Sequence, residues 1–80
     1  MLTGEQIRAA RALVRMEQAE LAGRSGVSLP SIKRLEATKG PLATLAATEE
    51  ALRRAFGEAS VIFLDADQAG GPGVRLRKGS

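Results

Sequence analysis

The sequence predicts a mainly α-helical domain: four helices closed by a C-terminal β-hairpin. Apolar residues recur at helical spacing in four separate stretches as far as residue 59. Capping and breaking residues fall between those stretches, and beyond Ser60 the pattern changes to short β-branched and alternating runs. Eighty residues leave room for one core, so residues 1–59 and the hairpin with its tail, residues 60–80, belong to a single domain. With 44% hydrophobic and 26% charged residues, the chain has the composition of one that folds.

Thr3 and Gln6 form a T-x-x-Q capping box that opens the first helix, which runs to about Arg15 with Ile7, Ala10, Leu13 and Val14 on its apolar face. A short second helix, from about Gln18 to Arg24, turns Leu21 and Ala22 inward. Gly26 then supplies the left-handed conformation that ends it. Ser28 caps a third helix that carries Pro30 in its first turn, where the missing N–H costs nothing, and that runs to about Ala37 over Ile32 and Leu35. Lys39-Gly40-Pro41 breaks the chain. A fourth helix from about Ala43 to Ala59 follows, its stripe made by Leu45, Thr48, Leu52, Ala55 and Phe56. Val61-Ile62-Phe63-Leu64 and Val74-Arg75-Leu76-Arg77 read as two strands around a glycine-rich loop at 68–73, and residues 78–80 are expected to fray.

Composition removes whole classes of chemistry. The chain has no Cys and no His, so it lacks a thiolate nucleophile, the usual general base and the commonest metal ligands. Enzymatic activity, a metal centre and a cofactor are therefore not expected. No run approaches the roughly 20 apolar residues of a membrane span, and Met1 to Glu5 lack the layout of a signal peptide, so a cytoplasmic protein without a membrane partner is expected. The net charge is +3, with a pI near 10.2. Its excess sits in residues 1–40, where Arg8, Arg11, Arg15, Arg24, Lys33, Arg34 and Lys39 stand against Glu5, Glu17, Glu20 and Glu36. A basic half on a small chain suits a polyanion, most often nucleic acid.

Residues 18–36 carry the most information: a short helix, a turn with Gly26 at the bend, and a second helix whose Ile32 and Leu35 serve the same core as Leu21 and Val27. Leu29, Pro30, Lys33 and Arg34 are left on the outward side. This is a helix-turn-helix. The pattern Gln18-x-x-Leu21-Ala22, Gly26-Val27-Ser28, Ile32-x-x-Leu35-Glu36 resembles the phage repressor and Cro type of helix-turn-helix regulator, the XRE family, over about residues 5–56. The tail around Phe63 and Gly71-Pro72-Gly73-Val74-Arg75-Leu76 is similar to very short members of that family.

The resemblance implies a phage-repressor-like four-helix domain that binds double-stranded DNA and regulates transcription, with residues 29–36 as the recognition helix. It sets Gln18 beside a phosphate, Ser28 at the cap and near the backbone, and Lys39 on a loop against the backbone. Arg34 has the reach to fork onto guanine O6 and N7, and Lys33 serves phosphate or base. Leu29 and Pro30 depart from the family's polar residues and leave only apolar contact with thymine methyl groups. Glu17 departs too, placing a carboxylate where a small hydroxyl is usual. Arg11 and Glu36 match an arginine–glutamate pair that fixes the recognition helix to helix one.

Val61 and Phe63 point to one side of their strand and Ile62 and Leu64 to the other, and a core this small covers one side only. Val61, Ile62, Phe63, Leu64, Val74 and Leu76 are therefore expected to build a homodimer interface, with Arg75 and Arg77 directed outward. Such a dimer would read an inverted repeat with half-sites about 10 base pairs apart. No small-molecule effector is evident. The other function compatible with this scaffold is a protein-interaction adaptor, such as an antitoxin or anti-activator.

Overall fold

A computed structural model of the chain describes residues 1–79. The order is α1 (Gly4–Val14), α2 (Gln18–Ser25), α3 (Leu29–Ala37), α4 (Ala46–Glu58), β1 (Val61–Leu64) and β2 (Gly73–Leu76). The capping box forms as the sequence implies: the Gln6 amide donates to the Thr3 hydroxyl at 3.0 Å, and the Gln6 side-chain oxygen accepts from the Thr3 amide at 3.0 Å. Arg15, in the left-handed region at φ 54°, closes α1. Gly26 adopts φ 77° and closes α2, where a side chain would be strained. Just before it the buried Ser25 hydroxyl donates to the Leu21 carbonyl and accepts from the Val27 amide, which holds the turn in shape.

The largest fully buried side chains are Leu2, Ile7, Leu21, Ile32, Leu35, Leu52 and Phe56, drawn from the N-terminal segment and all four helices. Each contributes about 1.5–3 kcal/mol through burial. α3 packs on α1 and α2, and α4 packs on α2. The N-terminal segment is stitched to the α3–α4 loop: Leu42 donates to the Leu2 carbonyl at 2.9 Å, Gly4 donates to the Gly40 carbonyl at 3.2 Å, and Thr3 and Pro41 form a bridge. Gly4 is required here, because a Cβ would lie 2.2 Å from the Thr38 carbonyl oxygen and 2.6 Å from that of Leu35.

The fourth helix begins three residues later than the sequence suggests. Leu45 is its N-cap and is 74% exposed, outside the apolar stripe, whereas Leu42 is buried. The extended segment that pairs with Leu2 carries Leu42 into the core; it has no helical period to announce it. Leu13 is also 40% exposed, and the inward face of α1 rests on Ile7 and Ala10. β2 begins at Gly73 and stops at Leu76, one residue earlier than expected at each end.

β1 and β2 pair antiparallel with Val61 opposite Leu76, Ile62 opposite Arg75, Phe63 opposite Val74 and Leu64 opposite Gly73. The hairpin lies on α1 and α4. Its inner face supplies Val61, Phe63 and Val74 to the core, with Phe63 edge-on to Phe56 at 5.6 Å and the Arg53 guanidinium over the Phe63 ring. Gln6 then clamps the mouth of the hairpin, donating from Nε2 to the carbonyls of Leu64 and Gly73, both at 3.0 Å. Val61, Phe63 and Val74, expected at a dimer interface, thus serve the chain's own core, because α1 and α4 cover one face of the hairpin. Ile62 is half-buried, and Leu64 and Leu76 are exposed. Among the described residues no helix is long and apolar enough to cross a membrane.

Candidate nucleic-acid interface

α3 presents two unlike sides. Ile32, Leu35 and Glu36 are buried, while Pro30, Lys33 and Arg34 are exposed and Leu29 and Ser31 are half-buried. Glu36 is the only acidic residue of α3, and it is turned inward with 4% of its surface exposed.

Its carboxylate is fully partnered. Arg11 donates to it twice, from Nε at 2.6 Å and from Nη2 at 2.8 Å, and Gln18 donates from Nε2 at 3.1 Å. Arg11 also reaches the Met16 carbonyl at 3.0 Å, and Arg8 donates to the backbone carbonyl of Glu36, closing the last turn of α3. The hydrogen bond to Glu36 raises the pKa of the Arg11 guanidinium above its ordinary value, with the charge of Glu36 adding to the effect. A bidentate pair fixes angle as well as distance. The Arg11–Glu36 contact expected from the family pattern is therefore present, and it ties the C-terminal end of α3 to both α1 and the start of α2.

This arrangement changes the position of Gln18. Expected beside a phosphate, its amide nitrogen instead donates to Glu36, which leaves one amide hydrogen and the carbonyl oxygen for any outside partner. Glu17 is the N-cap of α2, exposed and without a capping hydrogen bond. It lines a groove with Gln18, Leu29 and Lys33. Arg34 lies on the other flank of α3, in a cleft shared with Ser28, Ser31, Thr44, Leu45 and Thr48. Lys33 and Arg34 are adjacent in sequence yet line different grooves, as the helical turn of about 100° per residue dictates.

The Ser28 hydroxyl accepts from the Ser31 amide at 3.3 Å and donates to the Ser31 hydroxyl at 2.8 Å, so it caps α3 as expected. Lys39 is exposed on the α3–α4 loop. That loop is held by the Glu5 carboxylate, which accepts from the Gly40 amide at 3.0 Å. The pKa of Glu5 is lowered by its own backbone amide, by that of Gly40, and by the nearby charges of Arg8 and Lys39.

Sequence reasoning overlooked Arg8 and the second role of Gln6. Arg8 and Arg11 stand three residues apart on one helix face, which was a usable signal for two arginines aimed at a common target. No local signal marks the hairpin as the partner of Gln6. Among the described residues no group of three or more His, Asp or Glu is placed to hold a metal ion. No protein-family model matches the chain, and no curated protein matches it significantly.

Proposed function

We propose that the protein is a sequence-specific double-stranded DNA-binding transcriptional regulator that inserts α3 into the major groove and acts as a dimer on an inverted repeat. The observation that carries this reading is the division of α3: its single carboxylate is buried in a network that fixes the helix on its neighbours, and its outward side offers Leu29, Pro30, Lys33 and Arg34 with no acid among them. A rigidly mounted, uncapped-by-acid helix face is what base reading needs, since base contacts demand position and phosphates repel carboxylates.

In this mechanism Arg34 reads guanine, and Leu29 and Pro30 meet thymine methyl groups. Lys33 and Lys39 neutralise phosphates, the remaining donor of Gln18 and the exposed rim of the Ser28 cap lie along the backbone, and displaced counterions add to affinity. Glu17 beside Lys33 tempers that attraction.

Selection of bound duplexes from a random pool, followed by affinity against salt, tests the reading. The expected result is a palindromic motif and an affinity that falls as salt rises. Arg34→Ala should cost about 1–3 kcal/mol and relax one base pair of each half-site. Lys39→Ala should weaken all sequences alike and flatten the salt slope. A chain with no salt-dependent duplex binding that co-purifies with a protein partner would replace this reading with the adaptor.

A further inference from the structure

We infer that Arg8 is a positioning residue for duplex reading: together with Thr38 it fixes the last turn of α3, from which Arg34 projects. The inference rests on the proposed function and assigns part of its selectivity to a side chain that does not touch DNA.

The last carbonyls of a helix have no partner within the helix. α3 has no left-handed residue at its C-cap to close it, since Thr38 is extended there at φ -77° and ψ 133°. Three successive carbonyls of its last turn are instead taken by groups from two places. The Thr38 hydroxyl donates to the Arg34 carbonyl and the Thr38 amide to the Leu35 carbonyl, both at 3.1 Å. The third, that of Glu36, accepts from the Arg8 guanidinium, which comes from α1 and also meets the negative end of the α3 dipole.

Arg8 is part of a stripe. Gly4, Arg8 and Arg11 follow one another at i, i+4 and i+7 and so share one face of α1. Gly4 leaves room for the Thr38 and Leu35 carbonyls, Arg8 takes the Glu36 carbonyl, and Arg11 takes the Glu36 carboxylate. Among the described residues Arg8 is the one side chain of α1 bonded to the backbone of α3. The side chain of Arg34 forms no hydrogen bond or ion pair among the described residues, so the turn beneath it sets where its guanidinium starts from. A forked contact with a base edge has to be held to within about 0.5 Å. Without Arg8 the last turn frays: Arg34 keeps its charge and its attraction to phosphate, and it loses the fixed origin that discrimination between bases requires.

The test compares the affinity of the full chain for its selected duplex with that for the same duplex after exchange of the base pair read by Arg34, each against salt. Arg8→Met and, separately, Thr38→Val should lower the ratio of the two affinities about fivefold while circular dichroism stays that of the wild type, and Thr38→Ser should keep the wild-type ratio. Should Arg8→Met fold poorly, Thr38→Val carries the test, because it deletes one hydroxyl at nearly constant shape. The salt slope separates positioning from direct contact: Arg8→Met should keep the wild-type slope, whereas Lys39→Ala flattens it and leaves the ratio intact. An unchanged ratio in either variant, or an Arg8→Met chain that behaves as Lys39→Ala does, overturns the inference. A wild-type chain that binds no duplex removes the proposed function and this role with it; a chain that binds selectively with or without Arg8 removes the role alone.

Discussion

The C-terminal end of α3 is joined to the helical core by directional bonds, from Arg8, Arg11 and Gln18 to Glu36. The hairpin is joined to the same core by the apolar side chains of Val61, Phe63 and Val74, by the Arg53 guanidinium over the Phe63 ring and by one hydrogen-bonding side chain, Gln6. Apolar contact sets where an element lies but is tolerant of its rotation; a bidentate pair sets the angle too. An element whose exposed side chains are held in one orientation needs the second kind of attachment. An element that covers a core needs only the first. The charges follow the same division: on α3 the carboxylate is inside and the cations outside, whereas on the hairpin every charge is outside.

The contrast breaks most severely at Glu36. Glu36→Met or Arg11→Met alone strands a buried or half-buried charge and should cost about 3 kcal/mol or more in denaturant unfolding. The double substitution should cost less than the sum of the two, and additive costs would show that the pair is not coupled. On the hairpin side, Gln6→Leu removes the side-chain half of the capping box and both hydrogen bonds to the hairpin mouth, while the Gln6 backbone amide keeps its bond to Thr3, at about 1–2 kcal/mol. Amide exchange should then speed up in residues 61–64 and 73–76 with α3 unchanged; equal acceleration in α3 would erase the distinction between the two attachments.

A smaller effect calibrates these. Glu20→Ala removes an exposed Glu20–Arg24 pair within one helix and should shift stability by less than about 0.5 kcal/mol. The smallest lies at Glu5. Its lowered pKa means that its tie to Gly40 holds above the ordinary carboxylate range and is lost as pH falls through the lowered value. The Gly40 amide resonance should titrate with Glu5 while the core amides stay still.

The first three helices were legible because their ends are written locally: Thr3 with Gln6, Gly26, and Ser28 with Pro30 each satisfy orphan backbone groups within a few residues. The start of α4 was not legible, because Leu45 sits in step with the stripe and only the pairing of Leu42 with Leu2 decides which leucine is buried. The same limit applies at the candidate interface. Leu29, Pro30, Lys33 and Arg34 follow from helical geometry, and their exposure or partial exposure agrees. The commitment of Gln18 to Glu36 depends on how α2 approaches α3, and the use of Val61, Phe63 and Val74 in the core depends on where the hairpin folds back; neither distance is encoded in neighbouring residues.

The stitch between residues 2–4 and 40–42 has a consequence for the order in which the molecule opens. It closes the chain into a ring that contains α1, α2 and α3 and leaves α4 and the hairpin outside it. The hairpin can peel away by giving up Gln6 and its apolar contacts while the ring stays shut, so local opening has a natural first step. Opening the ring, by contrast, exposes Leu2 and Leu42, removes the tie beside Gly4 and loosens α1 from the end of α3 together. α3 and its mounting are thus one cooperative unit, and the segment that latches it is the first few residues of the chain.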